Sequence, residues 1–196
     1  MAYLRMSEAR AAATSVYRGP LRKSAGQILT EEARGFSADK QYDIFLSHSH
    51  DDADLILGVK KLIEDLGLTV YVDWIEDATL DRSKVTRQTG ALLRVRMRSC
   101  SSLIYVHSTN SSDSVWMPWE LGYFDGFKPH QVWILPLVST SDTEFKGQEY
   151  LGLYPTVDKT ASLQGRQSLG FTNVGSTHDE FPLAKAARGQ GVYFTS

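Results

Sequence analysis

Residues 42–52 read YDIFLSHSHDD, a short apolar run that ends in a cluster of polar side chains. Asp51 or Asp52 can cap a helix that follows. Apolar residues then repeat at helical spacing until a glycine, Gly67, ends the pattern. A second strand, rich in β-branched and aromatic residues, is predicted at residues 68–72. A strand, a helix and a second strand in this order predict a βαβ unit with parallel strands.

The same alternation continues along the chain. Residues 85–98 fit both a strand and a helix, and their length favours a helix. The remaining predicted elements are a strand at 102–106, a short helix at 116–124 with Pro118 near its start, a strand at 132–138, a final strand near Val157 and a last helix around 178–188. The strands are nearly continuous apolar runs, which a parallel sheet covered on both faces requires. The pattern therefore predicts an α/β fold.

Residues 1–40 differ from the rest of the chain. Two short helices are predicted at residues 7–17 and 24–36, with Gly19-Pro20 breaking the chain between them. Their apolar positions are sparse, which favours a loosely packed helical extension. An arm for oligomerisation or partner docking is the alternative. The predicted organisation is an N-terminal extension at 1–40 and one α/β domain at 41–196.

Composition narrows the range of partners. The chain has 196 residues, a net charge of −2 and one cysteine, Cys100. This charge gives no support for binding to nucleic acid or to an anionic membrane. A lone cysteine forms no internal disulfide and no cysteine-based metal cluster, which fits a reducing compartment. We find neither an apolar stretch of about 20 residues nor a secretory signal, so we expect a soluble cytoplasmic protein.

Ligands of parallel α/β sheets bind outside the carboxyl ends of the strands, which points to the loops at 47–52, 73–83 and 107–119. The first loop has no phosphate-binding glycines. This argues against a Rossmann-type redox enzyme that uses a dinucleotide and against a P-loop enzyme that hydrolyses nucleoside triphosphates. His48 and His50 stand beside two aspartates, but no third ligand cluster accompanies them, so we expect no metal. The sequence gives little support for a Ser-His-Asp hydrolase, because it has no Gly-x-Ser-x-Gly motif, which carries the nucleophilic serine in many such enzymes.

The segment from Trp116 to Asp125 carries two tryptophans, a tyrosine and two carboxylates. On a helix, Glu120 shares a face with Trp116 and with Phe124. A carboxylate flanked by aromatic rings is partly desolvated, so its charge has a larger effect. Such a carboxylate suits glycosidic cleavage, whose transition state resembles an oxocarbenium ion. An aromatic packing helix with Glu120 in a structural hydrogen bond explains the pattern equally well, and both interpretations stay open here.

Three segments, in this order, resemble the Toll/interleukin-1 receptor (TIR) family: YDIFLSHS at 42–49, SLIYVHS at 102–108 with SVWMPWELG at 114–122, and YLGLYP at 150–155. The resemblance covers about residues 41–155 and is strongest to bacterial NAD-consuming members of antiviral defence systems such as Thoeris. It implies a flavodoxin-like sheet of about five parallel strands with helices on both faces. The first 40 residues and the tail after Asp158 lie outside it.

The resemblance also implies an activity. Enzymatic TIR proteins cleave NAD+ at the nicotinamide–ribose bond and release ADP-ribose or cyclise it, so NAD+ is a substrate and no separate cofactor is expected. The glutamate of their Trp-x-x-x-Glu motif is catalytic and matches Glu120. The implied substrate-binding residues are Ser47, His48, Asp73, Trp74, Arg82, Trp116 and Trp119. Met117 departs from the cysteine of many relatives, which leaves the proposed catalyst unaffected.

Residues 73–83 match the BB loop, which shapes the pocket and mediates TIR–TIR contacts in this family. We therefore expect self-association, with a downstream effector that senses the nucleotide product. Two other functions remain open. One is a non-enzymatic TIR adaptor that acts through homotypic assembly, and the other is an enzyme resembling nucleoside deoxyribosyltransferases.

Overall fold

A computed structural model describes residues 2–16, 23–34, 40–73, 86–139, 145–161, 167–172 and 181–189. The helices and strands, in chain order, are β1 (Leu4–Arg5), α1 (Met6–Val16), α2 (Ala25–Arg34), β2 (Tyr42–Ser47), α3 (Ala53–Glu64), β3 (Val70–Val72), α4 (Arg87–Arg98), β4 (Cys100–His107), α5 (Met117–Phe127), β5 (Val132–Val138), β6 (Asp158–Ala161), β7 (Gln167–Phe171), β8 (Phe181–Pro182) and α6 (Leu183–Ala187). The ambiguous segment before β4 is the helix α4, as its length predicts. Thr86 caps it, because the Thr86 hydroxyl accepts a hydrogen bond from the backbone N–H of Thr89 at 3.1 Å.

Five strands form one sheet in the order β1-β5-β4-β2-β3, and every neighbouring pair in it is parallel. From β2 the chain adds β3 on one side and β4 on the other, so the strand order reverses at β2. Such a switch point opens a crevice at the carboxyl ends of the strands. The predicted α/β, flavodoxin-like sheet is confirmed.

Helices cover both faces of this sheet, because alternate strand residues point to opposite sides. Ile44, Leu46 and Ile104 pack with α1, α2 and α3 in one buried cluster. Phe45 and Leu103 pack with α4 and α5 in another. Within the described residues, no helix is both long and apolar enough to cross a membrane.

The fifth strand comes from an unexpected part of the chain. Leu4 and Arg5 pair with Leu137 and Val138 of β5, so the N-terminus supplies the edge strand. The strand predicted near Val157 is a short parallel bridge beside the other half of β5: the Val157 N–H donates to the Ile134 carbonyl at 2.7 Å. A strand of two residues has no periodicity for sequence analysis to detect.

The tail forms a second sheet that the sequence did not predict. β6, β7 and β8 are antiparallel and join in that order. The last helix, predicted around 178–188, is confirmed only as the shorter α6, which begins after Pro182. Residues 173–180 lie outside the described ranges.

The N-terminal helices pack more closely than the sparse apolar pattern predicts, so the expectation of loose packing was wrong. Ala9 and Ala13 of α1 are fully buried against α3. A Cβ atom placed on Gly58 of α3 would lie 1.8 Å from the Ala9 carbonyl oxygen. Small residues give little hydrophobic signal, yet they let two helices approach closely. The domain boundary at residue 40 stays a prediction.

Candidate active site

A buried hydrogen bond joins two predicted site residues at the switch point. Ser47 is the last residue of β2, and Glu120 lies in the first turn of α5. The Ser47 hydroxyl donates to Oε2 of Glu120 at 2.6 Å, across 73 residues of sequence. Both residues are at most 2% exposed. The first turn of a helix favours negative charge, and the serine partly offsets the loss of water around the carboxylate.

His48 continues the chain from Ser47 and is also buried. Its Nδ1 lies 2.8 Å from the Leu46 carbonyl oxygen. Because a carbonyl only accepts, Nδ1 carries the proton, and this bond holds the imidazole ring against the end of β2. His50, by contrast, is exposed. In the parts of the chain that the structure describes, no group of three His, Cys, Asp or Glu side chains could hold a metal ion.

Asp52 links the two loops that flank the switch point. It precedes α3, but its side chain does not cap that helix. Instead it accepts hydrogen bonds from the Ser108 hydroxyl and from Nδ2 of Asn110, the latter at 2.7 Å. The sequence could not distinguish these roles, because the partners lie in the loop after β4. Asp52 therefore occupies the predicted N-cap position of α3, but its side chain makes no capping hydrogen bond.

The first turns of α5 present a row of aromatic rings. Trp116 and Trp119 meet edge to face with ring centres 5.6 Å apart, and Trp119 stacks on Tyr123 at the same spacing. The Arg94 guanidinium lies 5.2 Å from the Trp119 ring centre, within range of a cation–π interaction.

A cleft of about 550 Å³ opens beside these rings. Its lining residues are Thr86, Arg87, Gly90, Arg94, Val115, Trp116 and Trp119. The structure therefore brings the two predicted tryptophans together with two arginines that the sequence analysis did not single out. Glu120 follows Trp116 by one helical turn but does not line the cleft.

Asp73 has a structural partner. At the end of β3, its buried carboxylate forms an ion pair with the Arg96 guanidinium and accepts a hydrogen bond from the Tyr71 hydroxyl at 3.2 Å. Burial, reinforced by Asp73, raises the pKa of Tyr71, so this phenol remains a donor. The assignment of Asp73 to substrate binding stays a prediction. Trp74 and Arg82 lie outside the described residues.

Sequence analysis assigned no individual role to two residues of β4 near this site. Tyr105 is fully buried and pairs in register with Ser47. His107, at the end of the strand, packs edge to face on Phe145 with ring centres 4.8 Å apart, and burial lowers its pKa. Strand alternation could have placed Tyr105 on the same face as Phe45, but it gives no reason to assign it a function.

No protein-family model matches the chain. It is similar to the probable 3' cyclic ADP-D-ribose synthase ThsB' of Bacillus cereus (strain MSX-D12), with 54% identity over 146 residues, 74% of this chain and 75% of that protein. It is also similar to the putative cyclic ADP-D-ribose synthase TIR2 of Cytobacillus dafuensis, with 32% identity over 93 residues, 47% of this chain and 24% of that protein. From this identity and the flavodoxin-like sheet, we conclude that the chain belongs to the bacterial TIR family of the Thoeris type.

Proposed function

We propose that the protein cleaves NAD+ between nicotinamide and ribose and closes the remainder into a cyclic ADP-ribose-type signal of antiviral defence. The observation that carries this proposal is the buried Ser47–Glu120 pair at the switch point of the sheet. Both relatives are named cyclic ADP-D-ribose synthases, which supports the same substrate and product class.

Glu120 is the catalytic residue of this proposal. Its carboxylate holds a ribose hydroxyl and stabilises the positive charge that develops on the ribose ring as nicotinamide leaves. Glu120 is 2% exposed, so its carboxylate lies in surroundings of low dielectric constant. Its electrostatic attraction for a nearby positive charge is therefore stronger than it would be in water. Nicotinamide already carries a positive charge in NAD+, so its departure needs no strong general acid. Ser47 holds the carboxylate in one orientation.

The burial of this pair also favours cyclisation over hydrolysis. Ser47 and Glu120 are 1% and 2% exposed, and a site that closes as tightly around the substrate would leave little water at the reacting carbon. A nucleophile within the substrate then competes well with water. Hydrolysis to linear ADP-ribose is the side reaction, and product analysis measures its share.

The neighbouring cleft suits the rest of the dinucleotide. Its volume of about 550 Å³ lies within the range of small-molecule sites. Trp116 and Trp119 offer aromatic surfaces for a base. Arg87 and Arg94 supply positive charge for the pyrophosphate. His48 borders the nicotinamide side, next to Ser47.

The proposal extends to the setting of the enzyme. It acts in the cytoplasm, where NAD+ is available, and passes its product to an effector that senses the nucleotide. Self-association through TIR–TIR contacts raises its activity.

Nicotinamide release from NAD+ by the purified protein tests the proposal, with mass spectrometry of the other product. Glu120→Gln keeps the size of the side chain and removes its charge. We expect the rate to fall by on the order of 100- to 1000-fold, as when a main electrostatic group is lost. Glu31→Gln, a change at an exposed helix glutamate, is the matched control and should leave the rate unchanged.

Undiminished turnover by a folded Glu120→Gln variant would contradict the role of this residue. No nicotinamide release at high protein concentration, together with tight binding to another TIR protein, would instead favour an adaptor. Turnover of deoxynucleosides in place of NAD+ would indicate a deoxyribosyltransferase.

A further inference from the structure

We propose that Tyr105 is a further substrate-binding residue of the Glu120 site, where its hydroxyl donates a hydrogen bond to the ribose hydroxyl that Glu120 holds. This inference rests on the proposed function and deepens it. It assigns a binding role to a strand residue outside the family-like glutamate motif.

Tyr105 lies beside Ser47 in the sheet, on the face that α5 covers. Tyr105 of β4 pairs directly with Ser47 of β2. Paired residues on neighbouring parallel strands point their side chains to the same face of the sheet. Since the Ser47 hydroxyl reaches Glu120 on α5, the Tyr105 ring points toward α5 as well. It packs there in one buried cluster with Met117 and Leu121.

The hydroxyl of Tyr105 is buried without a hydrogen bond to the described part of the protein. Tyr105 is 0% exposed, and its hydroxyl lies near that of Tyr150 but is not in hydrogen-bonding geometry with it or with any other described residue. Native proteins rarely leave a buried polar group in this condition, because it has lost its water without gaining a partner. Phenylalanine would fill the same space without this cost, as Phe45 and Phe124 do in the same cluster. The hydroxyl is therefore better explained by a ligand than by packing.

Chemical complementarity identifies the ligand group. Burial raises the pKa of Tyr105, and the nearby Tyr150 and Glu120 raise it further, so the phenol stays protonated and acts as a donor. An ionised carboxylate only accepts hydrogen bonds. A single atom bound by both must accept one hydrogen bond and donate another, which a sugar hydroxyl oxygen does and an amide oxygen or nitrogen does not. A phosphate cannot donate and is repelled by Glu120, and a carbonyl cannot donate.

Removal of the hydroxyl alone tests this assignment. Tyr105→Phe keeps the ring, and Tyr42→Phe is the matched control, because Tyr42 belongs to the same buried cluster but begins β2, at the opposite end of that strand from Ser47. We expect kcat/KM for NAD+ to fall about tenfold in Tyr105→Phe, the usual order for one lost hydrogen bond, and to stay unchanged in the control. The melting temperature of Tyr105→Phe should stay level or rise, since this variant loses an unsatisfied polar group.

Substrate analogues show which ribose hydroxyl Tyr105 contacts. NAD+ analogues whose nicotinamide ribose lacks the 2′- or the 3′-hydroxyl are compared in wild type and Tyr105→Phe. With the analogue that lacks the contacted hydroxyl, the tenfold difference between the two proteins should shrink to less than about twofold.

Three outcomes overturn the assignment. Equal kcat/KM for wild type and Tyr105→Phe would remove any role of the hydroxyl. The same loss on NAD+ and on both analogues would show that Tyr105 acts on something other than a ribose hydroxyl. In both of these cases, nicotinamide release by the wild type leaves the proposed function intact. A wild type that releases no nicotinamide overturns the proposed function and this role together.

Discussion

At the scale of single residues, the candidate site consists of polar side chains that are buried and held in place. Ser47, His48, Asp52 and Glu120 are each at most 5% exposed. Hydrogen bonds fix each one: the serine bonds to the glutamate, the imidazole to a carbonyl, and Asp52 to the loop after β4. Polar groups that have lost their water are stable only in such contacts. These contacts already exist before substrate binds, so they hold the polar side chains of the closed site in place.

Asp52→Ala tests how much this network contributes. The substitution removes the acceptor of the Ser108 hydroxyl and of the Asn110 amide, and it leaves the buried Ser108 hydroxyl without this bond. We expect the free energy of unfolding to fall by about 2–4 kcal/mol, measured by urea denaturation. Nicotinamide release should fall as well, since the loops on both sides of the switch point lose their link.

Asp51→Ala is the control for this change. Asp51 is the exposed neighbour of Asp52, so its loss should alter the free energy of unfolding by no more than about 0.5 kcal/mol. If the two variants were equally stable, the buried hydrogen bonds of Asp52 would not contribute as described.

At the scale of elements, the contact between α1 and α3 holds the N-terminal segment to the sheet. Gly58 has no side chain where α1 approaches, and α1 places the small residues Ala9 and Ala13 in that contact. The same segment carries β1, which extends the sheet beside β5. A close helix contact at one glycine therefore positions an edge strand.

Gly58→Ala should be costly. The new methyl group would lie 1.8 Å from the backbone oxygen of Ala9, and that oxygen can move only with the whole of α1. We expect a loss of about 1–3 kcal/mol in the free energy of unfolding, the usual cost of overpacking, or more if α1 detaches. Thermal and urea denaturation measure it.

Gly126→Ala provides the comparison within a helix. A Cβ atom there meets nothing within 4 Å, and alanine favours the helix by up to about 1 kcal/mol. A Gly58→Ala protein as stable as Gly126→Ala would show that α1 is not packed on α3 this closely in solution.

At the scale of the whole molecule, the sheet gathers the polar ends of β2 and β4 at one edge while its faces stay apolar. The outer strands β1 and β3 are only two and three residues long, which limits sheet-to-sheet pairing with other chains. At this sheet, contacts between copies would therefore involve helices and loops rather than strand edges. Val115, 66% exposed and part of the cleft wall, is an apolar side chain available for such a contact.

Self-association predicts that activity depends on protein concentration. Glu120 is 2% exposed in the single chain, so substrate binding requires a rearrangement, and contacts with a second copy can stabilise the rearranged form by mass action. We expect nicotinamide release to rise more steeply than the first power of protein concentration. An excess of inactive Glu120→Gln protein should then stimulate dilute wild type. A rate strictly proportional to concentration, with no stimulation, would contradict self-activation.

Much of the fold could be predicted from local patterns. The strand at 132–138 has the predicted bounds, a strand opens the run at 42–52 as expected, and each predicted helix before residue 130 is present within a few residues of its expected ends. The reason is physical: apolar periodicity reports which face of a segment is buried, and a buried face is what stabilises a helix or strand. The same patterns placed Glu120 on a helix after a strand, at the ligand-binding edge.

The sequence by itself thus determined the parallel sheet, its helical cover and the aromatic helix of Glu120. Only the tertiary structure decided which side chains meet: the Ser47–Glu120 bond, the Asp52 contacts with the loop after β4, the Asp73–Arg96 ion pair and the alignment of Tyr105 beside Ser47. It also decided that two residues near the N-terminus complete the sheet. Periodicity is a local property, whereas these contacts join residues distant in the chain, and their partners follow from strand order and register.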